Sequence, residues 1–337
     1  MKRIFDLTYV EVRDILLREG LKSFVADQLY TWIFKKGKTD TEYWLNISKK
    51  NREKIKSLFD LNLEKIEKQS GDSEGTNKVL IGLSDGMKVE SVLIKEKKHY
   101  TFCISSQVGC GLGCKFCATG RMGFKRDLTS GEIVSQVLIL RKMLKDFKGK
   151  INLVFMGMGE PLLNYENLKK SLYIITDSMG IGVSPRNITV STAGIFKYIK
   201  LLEKDFPKIK LSFSLNASDA EMRKSLMPVS KNEGLSGILE YFSTKKRKHR
   251  ITFEYVLISG VNDRIEDAKK VSTLLRKISC KINIIPYNEN EFIPYKTPSE
   301  EKVNAFSEFL AKKGFTVMVR WSKGKDIKSA CGQLAGE

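Results

Sequence analysis

The sequence predicts an α/β chain built on a parallel sheet, and three observations carry that expectation. From about residue 100 onward, short apolar β-rich runs alternate with amphipathic helical stretches, giving six β-then-α units. The first sixty or so residues show helical spacing instead. The chain has 337 residues, of which 42% are hydrophobic and 29% charged. That is ordinary globular composition, with room for one large domain and a smaller appendage.

In order along the chain, Val10, Val12, Ile15 and Leu16, then Phe24, Leu29, Trp32 and Ile33, recur at helical spacing, and Gly20 interrupts them. SGDSEG reads as a loop, and KVLIGL, the turn SDG and MKVESVLI read as a β-hairpin. The strand candidates that follow are YTFCIS (100–105), INLVFM (151–156), NITVS (187–191), KLSFSL (210–215), ITFEYVLI (251–258) and KINIIPY (281–287), with FTVMVRW (315–321) as a seventh. Helical stretches separate them. Thr129 and Glu132 have capping-box spacing, Ser299 precedes Glu300 and Glu301 at the last helix, and Gly314 marks its stop. The expected division is a helical accessory region over 1–62, a β-hairpin connector over 63–95, a core over 96–325 and a C-terminal loop over 326–337.

No apolar run reaches the roughly 20 residues that span a bilayer, and the N-terminus lacks a signal-peptide core, so a cytoplasmic address is expected. Lys and Arg number 59 against 39 Asp and Glu, a formal charge of +20. Clusters such as Lys95, Lys97 and Lys98, and Lys245 through Arg250, favour a polyanionic partner over an even haze of solvated charge. His99 and His249 both lie in basic stretches, which argues against a buried His base. Chemistry then falls to cysteine and carboxylate.

In parallel α/β sheets, ligands bind at the carboxyl ends of the strands. Those ends carry SSQVGCGLGCKFC, GMGEP, STAG, SLNAS and PYNEN. Cys110, Cys114 and Cys117 form C-x3-C-x2-C in a glycine-rich loop, a soft-metal donor set. A zinc site would need a fourth ligand, for which Cys103 or His99 could serve. An iron–sulfur cubane held by only three thiolates would keep one iron open.

This spacing, with the aromatic Phe116 before the last Cys, resembles the radical SAM superfamily. GMGEP is similar to its motif for the amino group of S-adenosylmethionine (SAM). FCISSQVGC, VFMGMGEPLLNY, SPRNITVSTAGI, SLMPV, ITFEYVLISGVND and DIKSACGQLAG extend the resemblance, over nearly the whole chain, to the adenine-C2 RNA methyltransferases that modify 23S rRNA and tRNA. The resemblance implies a partial (β/α)6 barrel. It also implies one [4Fe–4S] cluster on Cys110, Cys114 and Cys117, with SAM at the open iron and two SAM molecules per turnover. SAM contacts carry over to Gly159, Glu160, Ser191, Ser214, Leu215, Asn216 and Asn288, with Asn216 standing where the family usually has His.

The same resemblance makes Cys331 the methyl carrier. Cys103 is the cysteine that resolves a protein–RNA adduct through a disulfide with Cys331, and Glu90 is the proton acceptor. The implied partners are 23S rRNA, tRNA and an electron donor such as flavodoxin or ferredoxin, with no membrane and a monomeric chain. Two alternatives stand beside it: a resistance-type adenine-C8 rRNA methyltransferase, and a non-catalytic zinc-binding RNA chaperone. Cys280 matches no motif and is expected in the core.

Overall fold

The computed structural model describes residues 1–144, 149–228, 234–291, 293–324 and 327–336. The expected helix end at 145–147, the motif residue Val229 and the 325/326 boundary lie outside the described residues.

Strand β1 (Lys2–Arg3) leads into the helical region of α1 (Tyr9–Arg18), α2 (Ser23–Tyr30) and α3 (Lys49–Leu58), and β2 (Phe59–Asp60) pairs back on β1 in parallel. A reciprocal capping box starts α1: Glu11 N donates to Thr8 Oγ1 at 3.3 Å and Thr8 N to Glu11 Oε2 at 2.7 Å.

Next come β3 (Lys65–Gly71), β4 (Asn77–Gly82) and β5 (Lys88–Lys95), an antiparallel meander that runs into β6 (His99–Cys103). The hairpin expected here therefore has a third strand. β3 is almost wholly exposed and shows no apolar alternation, so its sequence carries no strand signal.

A small antiparallel pair, β7 (Gln107–Gly109) and β8 (Phe124–Asp127), frames the cysteine loop, which includes the single turn α4 (Ala118–Arg121). The repeating units follow: α5 (Ser130–Met143), β9 (Lys150–Phe155), α6 (Tyr165–Thr176), β10 (Ile188–Thr192), α7 (Phe196–Asp205), β11 (Lys210–Ser214), α8 (Ala220–Leu226), α9 (Leu235–Thr244), β12 (Ile251–Leu257), α10 (Ile265–Leu275), β13 (Cys280–Pro286), α11 (Glu300–Lys312) and β14 (Thr316–Val319).

All these strands except the two small pairs form one sheet in the order β14-β13-β12-β11-β10-β9-β6-β5-β4-β3. The seven from β6 to β14 are mutually parallel, so the seventh candidate is a true strand. Their carboxyl ends lie on one side, as parallel pairing requires. The expected helix caps also form: Thr129 and Glu132 make a capping box on α5, Ser299 accepts from Lys302 N at α11, and Gly314 takes φ +88. No helix among the described residues is long and apolar enough to cross a membrane.

One apolar core runs from Ile4 to Leu334 and is shared by the helical region and the barrel. Their junction is α5. Asp6 Oδ1 accepts from Gly131 N at 2.5 Å and from Ser130 Oγ at 2.9 Å. A Cβ on Gly131 would meet the Asp6 carboxylate at 2.8 Å, so a larger residue would push the helical region away. α5 is buried nearly all round, and its buried Gln136 accepts from Ser91 Oγ and Ser105 N, both at 2.7 Å. Cys280 is 5% exposed, in the core as expected.

Candidate active site

A pocket opens at the carboxyl ends of the parallel strands. Its wall brings together residues from widely separated segments. Cys110, Cys114 and Cys117 come from the loop after β7; Gly159 and Glu160 follow β9, and Ser191 ends β10. Ser214 and Asn216 come from the end of β11, Asn288 from beyond β13, and Cys331 from the C-terminal loop. Leu215 is fully buried instead and donates its N–H to Glu254 O at 2.9 Å.

Gly159 takes φ +95, and a Cβ there would meet Gln107 Cβ at 2.5 Å, so the turn needs glycine on both counts. Gln107 then fixes the next residue, accepting from Glu160 N at 2.8 Å. The Glu160 carboxylate accepts from Leu162 N at 3.1 Å and from Ala193 N at 2.8 Å. Burial pushes its pKa up to about 7, against these hydrogen bonds. A buried carboxylate so placed suits a cationic ligand such as an ammonium group.

Asn216 has φ +54, a left-handed conformation in which Asn and His are both enriched. Backbone geometry therefore admits Asn as readily as the His that the resemblance led us to expect here. Its Oδ1 accepts from Val256 N at 2.9 Å, so the side chain ties β12 to the pocket wall.

Burial pushes the Cys110 thiol up to about 12 and raises Cys114 and Cys117 as well. Three thiolates here need a strong local cation. Among the described residues, no three Cys, His, Asp or Glu side chains converge on a point that would hold a single metal ion. Three thiols from one loop fall short of the four ligands of a structural zinc site and suit a [4Fe–4S] cluster that keeps one iron open.

Cys331 is open to the pocket space but walled by protein on its other sides. Desolvation, then the charge of Glu254, push its thiol up to about 11, and Arg320 opposes the shift. Cys103 lies in β6 beneath the pocket, buried, with its thiol raised by desolvation and then by Cys331. Both thiols are free.

The C-terminal loop is latched to the cysteine loop: Ala118 N donates to Gly332 O at 2.8 Å and Thr119 Oγ1 to Leu334 O at 2.7 Å. Glu90 does not line the pocket. It is fully buried in β5, where Oε2 accepts from Ala335 N at 2.8 Å and Gly336 N at 3.0 Å, and Oε1 pairs with Lys78 Nζ at 2.6 Å. Cys103 pairs with Val92 in β5, two residues along the same strand.

Sequence reasoning missed Glu254, which lines the pocket and accepts from Ser191 Oγ at 2.8 Å, and Arg223, fully buried in α8. A glutamate in a β run and an arginine in a charged helix look like surface residues until the fold buries them.

Residues 104–271 match the Radical SAM superfamily, and residues 3–61 match the Ribosomal RNA large subunit methyltransferase N-terminal domain. The dual-specificity RNA methyltransferase RlmN of Solidesulfovibrio magneticus is 40% identical over 100% of this chain and 97% of its own length. That of Lawsonia intracellularis is 42% identical over 99% and 96%. A crystal structure of a radical SAM methyltransferase from Sphaerobacter thermophilus superposes with TM-score 0.95 at 35% identity, covering 100% of both chains. By sequence over its whole length and by fold, the chain belongs to the RlmN family of dual-specificity RNA methyltransferases, within the radical SAM superfamily.

Proposed function

We propose that this protein methylates carbon 2 of adenine in 23S rRNA and in tRNA, carrying the methyl group on Cys331. The observation that carries this reading is that one pocket is lined by the three-cysteine loop, by Glu160 and by Cys331. Carbon 2 of adenine is electron-poor and offers no lone pair, so direct displacement on a methyl sulfonium has no nucleophile. A cysteine thiolate does have one. A [4Fe–4S] cluster on Cys110, Cys114 and Cys117, fed by a donor such as flavodoxin or ferredoxin, would supply the electron that cleaves SAM to a carbon radical.

The protein's own residues then divide the work. Glu160 receives the SAM ammonium group, and Ser191, Ser214, the backbone at Asn216 and Asn288 line the rest of that cofactor's berth. Asn288 Nδ2 donates to Cys331 O at 3.3 Å and to Ser322 Oγ at 2.9 Å, so the carrier loop and the cofactor wall share an anchor. Cys331 needs its proton removed before it can be alkylated, because its thiol sits near 11. Cys103, whose thiol responds to charge on Cys331, resolves the covalent protein–RNA adduct by disulfide formation. Glu90 is the proton acceptor in that step once the tail lets go of its Oε2.

Base chemistry needs the adenine out of its stack. Trp321, 44% exposed and next to Ser322, offers a stacking surface at the rim for an unpaired nucleotide.

Anaerobic incubation of RNA with the Cys103→Ala variant tests the mechanism. A covalent protein–RNA species should accumulate, and it should be absent when Cys331 is also changed to Ala. Free RNA in both reactions would sink the proposal. Mass mapping of the methyl group to carbon 2 or carbon 8 tests the regiochemistry.

A further inference from the structure

Arg223 is the only Lys or Arg side chain among the described residues that is fully buried, at 0% exposure. Nη2 donates to Ala193 O at 2.5 Å and to Ser214 O at 3.0 Å, at the carboxyl ends of β10 and β11. Its Cζ stands 5.1 Å from the centre of the Phe213 ring. Nε and Nη1 have no hydrogen-bond partner among the described residues. Unpaired buried donors on a charged group are costly, so a strained guanidinium of this kind calls for an anion.

Two groups that can carry negative charge are within its electrostatic reach, the Glu160 carboxyl and the Cys114 sulfur, the latter once it ligates a metal. The Glu160 carboxylate accepts from backbone N–H groups and, in the reading above, faces the SAM ammonium. That leaves the cysteine loop, against which α8 is seated: Lys115 N donates to Leu226 O at 2.9 Å, and Met222, Leu226 and Met227 pack with Cys110 and Cys114.

We propose that Arg223 is the fixed counter-charge of the cysteine loop, directing Nε and Nη1 toward the sulfur side at Cys114 and making a cluster held there easier to reduce. The proposal rests on the radical SAM reading above. Three thiolates leave an oxidised cubane with net negative charge, and the incoming electron adds one more. In a buried site, that added charge is stabilised by a nearby fixed cation and by hydrogen bonds to sulfur, the levers that set cluster potentials. Arg223 touches neither reacting carbon nor RNA, so it tunes and positions.

The test compares anaerobically loaded wild type, Arg223→Gln and Arg223→Lys, without SAM or RNA, by iron and sulfide content and by reductive titration followed by electron paramagnetic resonance. R223Q should titrate at a more negative potential than wild type, and R223K should return most of the shift. A fully loaded R223Q that titrates at the wild-type potential would leave Arg223 as a cap for strand carbonyls and overturn the proposal. Nitrogen-15 NMR of the wild type reads the contact independently of any variant. The Arg223 Nε–H signal should move on cluster loading, and a signal that stays in place overturns the proposal even if R223Q cannot be loaded. A wild type that takes up no iron would instead overturn the radical SAM reading itself.

Discussion

The two ends of the parallel strands are opposite in chemistry. At the carboxyl ends, cysteine thiols, Glu160 and Glu254 surround a pocket, with Arg223 the one fully buried cation among the described residues beside them. At the amino ends, β9 begins with Lys150, β11 with Lys210, and β12 follows the run Lys245 to Arg250, of which Lys245, Lys246, Lys248 and Arg250 are exposed. The turn holding Lys97 and Lys98 precedes β6, but Lys323 Nζ donates to Lys95 O at 2.8 Å, which ties that cluster to the segment where Ser322 accepts from Asn288 of the pocket wall. A seven-residue strand such as β12 spans about 23 Å, so the two ends do not share a ligand of ordinary size. The difference teaches that charge count and charge location answer separate questions. The run from Lys245 to Arg250 that is conspicuous in the sequence marks the far end, while the chemistry sits where carboxylates and thiols are desolvated.

The largest expected effect falls at the pocket end. Cys331→Ala should lower methylation at least about a thousandfold, as removal of a covalent carrier does, with iron content unchanged. Glu90→Gln leaves Lys78 without its buried partner and weakens the latch on Ala335 and Gly336. It should cost about 3–5 kcal/mol by chemical denaturation and expose the C-terminal tail to protease; unchanged stability would mean the tail is held elsewhere.

Glu160 gives a pH test. Burial raises its pKa from 4.5 to about 7, so the folded protein keeps a proton that the unfolded chain releases between those values. The resulting stability is full below about pH 4.5 and is lost as pH rises through about 7. In metal-free protein, Glu160→Gln should therefore be more stable than wild type by about 3 kcal/mol at pH 8, with no difference at pH 4. A gap that persists at pH 4 would point to packing.

The smaller effects set rim against far end directly. Trp321→Ala should weaken binding of a single-stranded adenosine-containing oligonucleotide by about tenfold, the scale of one lost base stack. Lys246→Glu with Lys248→Glu should leave affinity within about twofold and the salt slope unchanged. A slope reduced by about 0.7 per lysine would instead make the far end a phosphate contact and break the comparison.

Much of this was readable before folding. The alternation of β and helical runs predicts the parallel sheet, and the Thr129 and Ser299 caps form where their spacing puts them. Cysteine spacing singles out Cys110, Cys114 and Cys117 because a donor set drawn from one short loop is local information. β3 escaped notice because an edge strand exposed on both faces carries no hydrophobic period. Glu254 and Arg223 escaped notice because burial is a property of the assembled barrel.

The sequence by itself therefore determined the local matters: element types, helix starts, the cysteine loop and the family resemblance, all encoded within windows of a few to some twenty residues. Only the tertiary structure decided which distant residues meet. It brings Glu90 to Ala335 and Gly336 across some 245 residues, Arg223 to the cysteine loop, and the run from Lys245 to Arg250 to the end away from the pocket. The physical reason is that strand order and direction set which side chains share a desolvated space, and desolvation turns an ordinary carboxylate, thiol or guanidinium into a reactive one.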